Sequence, residues 1–255
     1  MTPIVLLHGF AGHASAWDDV VGDLARANRR ASAITLFGHD PNIAVRSNVS
    51  FDDEAARVAS SIAAIGEPVR LCGYSMGGRV ALGVLARAPE LVASAVLVGA
   101  HPGLESDADR RERAASDELW ARMLEEQGIE TFVAKWEAQA LFATQASAPA
   151  ERLARQRATR LAHDPRSLAC AMRSLGLAAM PSYWDVLERL AVPLDLVVGA
   201  HDTKFTALAE RMERASASGT SGASGRAARI TRVPNVGHNV SLEAPAALAT
   251  LLADR

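Results

Sequence analysis

Cysteine and aromatic residues are scarce in this chain of 255 residues. Two cysteines cannot build a disulfide framework, and the strand-like and helix-like surroundings of Cys72 and Cys170 predict buried thiols. No stretch approaches the roughly eighteen apolar residues that a membrane helix needs. The start, Met1-Thr2-Pro3 followed by four apolar residues, has neither a basic n-region nor a long h-region. A cytoplasmic protein without membrane contact is expected. Charge of one sign is not in excess either. A net charge of -2 leaves no electrostatic footprint for nucleic acid. The seven histidines are scattered, with no His/Cys pair at zinc spacing, so neither metal nor cofactor is expected. Nothing in the sequence bears on oligomeric state.

What is there suits one well-buried α/β domain, since 49% of the residues are hydrophobic. The first hundred residues alternate strand-like runs (Ile4 to Leu7, Ala33 to Phe37, Val69 to Cys72, Ala95 to Val98) with helix-like ones. That rhythm predicts a mostly parallel sheet with helices on both faces. Ser50 and Asp53 form a candidate capping box for the helix carrying Ala55, Val58, Ile62 and Ile65. From about Leu104 to Leu190 the pattern becomes helical and charged, before Leu194 to Val198 resumes the sheet. The expected division is a core of residues 1–103 and 191–255 and an inserted helical lid of residues 104–190; ordinary peripheral helices are the alternative. The Ser/Gly-rich segment from Ala215 to Gly225 reads as a flexible surface loop.

The strongest chemical signal is Gly73-Tyr74-Ser75-Met76-Gly77-Gly78, set between a strand-like run and a helix-like one. A strand, G-x-S-x-G and a helix make a nucleophile elbow, in which small neighbours let the chain turn sharply and expose one hydroxyl. Its partners follow in the order such an elbow requires. Asp202 comes after the strand-like Leu194 to Val198, and His238 after Ile230 to Val233, each at the C-terminal end of a strand where open α/β sheets hold their ligands. Serine needs an imidazole to accept its proton, and imidazole needs a carboxylate to hold its tautomer, so Ser75, His238 and Asp202 form a candidate triad. The loop His8-Gly9-Phe10 follows the first strand. It is expected to supply one oxyanion-hole amide, from Phe10, with Met76 supplying the other. His8 precedes the serine and is read as structural. The fold expected is therefore an α/β-hydrolase fold.

Several segments together resemble one family on that fold, the 2-succinyl-6-hydroxy-2,4-cyclohexadiene-1-carboxylate (SHCHC) synthases of menaquinone biosynthesis. They are Leu7-His8-Gly9-Phe10, Gly73 to Ala81, His101-Pro102-Gly103-Leu104, Arg110 to Arg113 with Asp117 and Trp120, Trp136 with Leu141-Phe142, Asp202-Thr203-Lys204-Phe205, and Gly237-His238-Asn239. The elbow and triad belong to the whole superfamily; Arg79 after the double glycine, His-Pro-Gly-Leu and Asp-x-Lys-Phe are narrower. The resemblance implies a lyase that expels pyruvate from a carboxylated cyclohexene, with Ser75 helping to remove a ring proton. It further implies a small anionic substrate gripped by Arg79, Arg113 and Arg157, with Tyr74 and Trp136 lining the pocket. Arg79 also has a physical case of its own, being one helical turn beyond Ser75 on the same face. For the lid arginines the residues alone read as solvated helix faces.

The chain departs from the family at Ala140, where proline is usual, and at Thr35-Leu36-Phe37-Gly38-His39, where Asp-Leu-Pro-Gly-His is more typical. These leave open a paralogue with a different substrate. Two other functions compete. A serine hydrolase for esters, thioesters or carbon–carbon bonds of small carboxylated compounds would use the same triad through an acyl-enzyme. A silent binding protein would have no need of all three triad residues.

Overall fold

Runs of β-branched and aliphatic residues bounded by turns make the four central strands, which are buried on both faces. The computed structural model describes residues 1–190, 192–218 and 228–254. In chain order they form β1 (Ile4–Leu7), α1 (Asp18–Arg26), β2 (Ala31–Ile34), α2 (Phe51–Ala63), β3 (Val69–Tyr74), α3 (Met76–Arg87), β4 (Val92–Val98), α4 (Asp107–Glu137), α5 (Ala150–Leu161), α6 (Pro165–Leu175), α7 (Trp184–Glu188), β5 (Leu194–Gly199), α8 (Thr203–Ser218), β6 (Arg229–Val233), α9 (Val240–Glu243) and α10 (Pro245–Ala253). All six strands are parallel, in the order β2-β1-β3-β4-β5-β6. The chain goes outward from β1 to β2 and returns to the other side of β1 with β3. The switch point therefore lies between β1 and β3, and ligands of such sheets bind beyond the strand ends there.

Alternation along the strands explains why both faces are covered. Val5, Leu7, Leu71 and Leu97 point into one apolar layer with α2, α3 and α8. Ile4, Leu6, Cys72, Val96 and Val98 point into the other, with Trp17, Val20 and Leu24 on one flank and Leu248 and Leu252 on the other. Both cysteines are buried and unbridged. The Ser50–Asp53 capping box starts α2, each residue's side chain taking the other's backbone N–H. β2 stops at Ile34 rather than running to Phe37, because the chain turns away through Gly38 at φ +73. Residues 215–218 of the expected loop are instead the last turn of α8, and 219–225 lie outside the described residues.

The helical stretch between β4 and β5 packs in two parts. Ala121, Leu124, Phe132, Val133, Leu168 and Met172 of α4 and α6 form a cluster of their own. Leu177, Met180, Tyr183 and Leu187 join the main core instead, so the separate cluster ends well before residue 190. Gly128, at φ +81, breaks α4. Among the described residues no helix is long and apolar enough to cross a membrane.

Three buried histidines join this helical cluster to the sheet. His39 packs edge-on against His8 and His163, with ring centroids 5.0 and 5.6 Å away. Burial is the main cause holding His8 down to about 3 and His163 to about 4, and it holds His39 well below its ordinary value. The unfolded chain therefore takes up these protons near the ordinary value of 6.5 while the folded chain does not. Stability should be fully present above about 6.5 and fall as pH drops toward 4 and then 3. A urea midpoint that declines over that window is the expected result; a flat profile would contradict it.

Candidate active site

The buried strand β3 runs straight into α3 with a single residue between them. That residue, Ser75, has φ +51 and ψ −107, an uncommon conformation for a side chain with a Cβ. Its N–H donates to the Val98 carbonyl at 2.8 Å, and its carbonyl accepts from Arg79 N–H at 3.1 Å. The glycines around it have no room for a Cβ. One at Gly73 would strike the backbone of Gly77, and one at Gly77 would strike the carbonyl of Leu7 at the end of β1. One at Gly78 would meet Ala100 Cβ at 2.6 Å.

Ser75 Oγ lies 3.3 Å from His238 Nε2, and His238 Nδ1 lies 2.7 Å from Asp202 Oδ2. With Asp202 ionised the ring proton sits on Nδ1, which leaves Nε2 to accept from the serine hydroxyl. Distances slightly long for such a relay are usual before a substrate is bound. Both partners are deeply buried, and each is held by its own loop. Asp202 Oδ1 accepts from Phe205 N–H at 3.1 Å, as α8 begins. Glu243 of α9 takes the N–H groups of Gly237 and Asn239, on either side of His238. Phe205 and Tyr74 pack on the imidazole, with centroids 4.4 and 5.4 Å away. Gly99, at φ +54, leaves space for it, since a Cβ there would be 2.9 Å from His238 Cε1.

Met76 is the first residue of α3, where backbone N–H groups have no acceptor within the helix. Phe10 lies beyond β1 on the same cavity wall as Ser75. Its loop is tied down by histidines. His8 Nδ1 donates to Gly9 O at 2.8 Å and its Nε2 accepts from Leu36 N–H at 3.0 Å. His39 Nε2 accepts from Ala11 N–H at 3.1 Å. His8 thus has a structural place, with both nitrogens engaged by backbone.

The cavity over Ser75 measures about 720 Å³ and lies between the strand ends and the helical cluster. Tyr74, Arg79, Arg113 and Trp136 line it. Trp136 sits 5.3 Å from the Phe10 ring and stacks on Phe132. Burial pushes the Tyr74 phenol up. Arg79 is buried and donates to the Leu175 carbonyl at 2.6 Å; burial first, then Arg113, brings its guanidinium down to about 9. Arg113 Nε donates to Asp117 Oδ1 at 2.7 Å.

Arg157 is elsewhere. It points outward from α5, pairs with Glu137 and keeps 47% of its side chain exposed, outside the cavity wall. Arg160, three residues on, takes the inward place with only 6% exposed. It donates to Glu137 Oε1 at 3.0 Å and lies 5.6 Å over the Phe142 ring. Lys204 of α8 also lines the cavity.

Comparison with known proteins agrees with this fold. The family model described as the alpha/beta hydrolase family matches residues 4–251. The chain belongs to the alpha/beta hydrolase family. Within it, a putative SHCHC synthase of Bacillus subtilis (strain 168) is 31% identical, the alignment covering 98% of this chain and 89% of the relative. The SHCHC synthase of Enterobacter sp. (strain 638) is 30% identical, with 98% and 90% covered. The structure of MenH from S. aureus superposes with a TM-score of 0.89 at 26% identity, covering 98% of this chain and 91% of that one. The resemblance to the SHCHC synthases therefore holds over nearly the whole chain, and the protein is an enzyme. A malate-bound esterase of Thermogutta terrifontis, 20% identical with a TM-score of 0.83 over 99% and 88% of the two chains, shares the fold alone.

For this alpha/beta hydrolase, sequence reasoning missed Glu243, Arg160 and His39. Glu243 could have been sought as an acid within a turn of the histidine loop. Arg160 needed the helix phase, because only one face of α5 meets the cavity. A Gly77→Ala substitution is expected to prevent stable folding or to cost several kcal/mol, since backbone on both sides must shift (about 3 kcal/mol or more). A urea denaturation midpoint equal to wild type would contradict it.

Proposed function

We propose that this enzyme is a lyase that eliminates pyruvate from 2-succinyl-5-enolpyruvyl-6-hydroxy-3-cyclohexene-1-carboxylate to give SHCHC, the reaction implied by its resemblance to the menaquinone-pathway synthases. The observation that carries this is Arg79. It is a buried guanidinium one helical turn from the serine, with no carboxylate ion pair among the described residues. A neutral ester has no use for such a group, whereas a polycarboxylate neutralises it. Arg113 and Arg160 add two more guanidinium groups, each partly compensated by one acid, and so favour a substrate with more than one carboxylate.

In this reading His238, oriented by Asp202, accepts the Ser75 proton while Ser75 Oγ takes the acidic ring proton next to the succinyl carbonyl. The Phe10 and Met76 amides stabilise the oxyanion of the resulting enolate. The electron pair moves through the ring and breaks the carbon–oxygen bond to the enolpyruvyl group. This leaves as pyruvate enolate and is protonated to pyruvate, so no water is consumed. The helical cluster of α4, α5 and α6 acts as the lid that keeps water from the enolate. The relay alone serves acyl transfer equally well, so a serine hydrolase for small carboxylated esters is the competing reading.

Pyruvate release from the enolpyruvyl substrate, generated in situ, separates them. Release far above the uncatalysed rate that falls by about 10³ or more in Ser75→Ala is expected; background release beside turnover of simple esters would favour the hydrolase. Arg79→Ala and Arg160→Ala should each lower kcat/KM for elimination by about 10-fold to 10²-fold, while Arg157→Ala should change it less than about threefold. Steady-state kinetics showing Arg157→Ala as damaging as Arg160→Ala would remove the assignment of Arg160.

A further inference from the structure

Beyond β4 the chain passes through a short turn, His101-Pro102-Gly103, closed by the His101 ring, and His101 lines the same cavity. The turn is rigidly anchored. The Pro102 carbonyl accepts from Tyr183 N–H at 2.7 Å, and the Gly103 carbonyl accepts from Trp184 Nε1 at 3.2 Å. Gly103 adopts φ +114, and a Cβ there would meet Pro181 O at 2.6 Å. Within the turn, His101 Nδ1 accepts the Gly103 N–H at 3.0 Å. A nitrogen that accepts has its lone pair in use, so the only proton of the neutral ring sits on Nε2. Among the described residues Nε2 has no hydrogen-bond partner.

The surroundings keep the ring neutral. Burial, then Arg79, Lys204 and Arg113, hold His101 down to about 4. Arg211 is also near, but it pairs with Glu105 and stacks on Trp184. Neither Arg79 nor Lys204 forms an ion pair among the described residues, and the carboxylate that acts on Arg79, Asp117, is already paired with Arg113. A fourth cation among these groups would repel them, whereas a neutral N–H adds a directed donor without adding charge. The same lock prevents His101 from acting as a base, because its lone pair faces the backbone of Gly103.

We propose that His101 is a specificity residue of this cavity: a neutral imidazole whose Nε2–H donates to a substrate carboxylate and, with Arg79, Arg113 and Lys204, completes one anion subsite. This rests on the reading of the cavity as a carboxylate site, but not on the elimination itself.

The test uses succinate as probe and calorimetric affinity as readout, on the whole chain. Two substitutions separate the turn from the donor. In His101→Ser a short hydroxyl can still accept the Gly103 N–H but cannot reach the cavity; in His101→Gln the amide nitrogen reaches where Nε2 was. Succinate binding to wild type is expected to weaken about tenfold in His101→Ser with an unchanged melting temperature, and to stay within about threefold in His101→Gln. Succinate binding of His101→Ser at wild-type strength, equal loss in both variants, or no succinate binding by wild type would each overturn the proposal. Failure of pyruvate release would remove the lyase reading while leaving this comparison intact.

Discussion

The close approach of α3 to the end of β1 is the constraint on which the site depends. Gly77 lies against the Leu7 carbonyl with no space for a side-chain atom, and Gly73 lies against Gly77. Two strands flanking the switch point are thereby brought to contact distance at their C-terminal ends, one carrying the Phe10 loop and the other Ser75. The strain at Ser75 is held by the Val98 carbonyl, which ties the turn to β4 as well. Ser75, at the start of α3, and the Phe10 loop thus line one cavity because three backbones are locked together, and the core on both sheet faces stabilises that locking.

In the proposed reading, charge then separates this site from a generic serine hydrolase. The relay of Ser75, His238 and Asp202 fixes where a proton can go, but it says little about what molecule arrives. The arginines do. Most arginines of the helical cluster are matched by acids, as Arg173 is by Glu118 and Glu125, or Arg152 and Arg155 by Asp19. Arg79 donates to a carbonyl inside the cavity and forms no ion pair among the described residues, sharing the field of Asp117 with Arg113, and burial first lowers the pKa of its guanidinium. A carboxylate placed there regains what burial takes from the cation. The aromatic wall of Phe10, Trp136 and Phe142 supplies an apolar surface beside these charges, as a ring with anionic substituents needs.

Much of this was legible in the sequence, and the physical reason differs from part to part. Strands buried on both faces write themselves as unbroken aliphatic runs, so β1, β3, β4 and β5 stood out, and the elbow was marked by glycines that nothing else can replace. The order of Ser75, Asp202 and His238 followed from the strands that carry them. The resemblance pointed to Arg79, and helix periodicity, one turn from Ser75, supported it. Arg160 and Arg157 could not be told apart that way, because α5 meets the cavity through one face whose phase is set only by packing. The end of β2 and the last turn of α8 differ from the sequence pattern for local reasons: Gly38 diverts the first, and residues 215–218 are small and polar yet continue a helix begun far upstream.

The central claim is that a hydrolase-type relay here removes a proton and never forms an acyl-enzyme. Turnover in water enriched in oxygen-18, followed by mass spectrometry of every product, tests it most directly. Proton abstraction predicts no label in the product carboxylates. Free succinate carrying one labelled carboxylate oxygen per turnover would show that water had released a succinyl acyl-enzyme after cleavage of its carbon–carbon bond to the ring, and would contradict the claim.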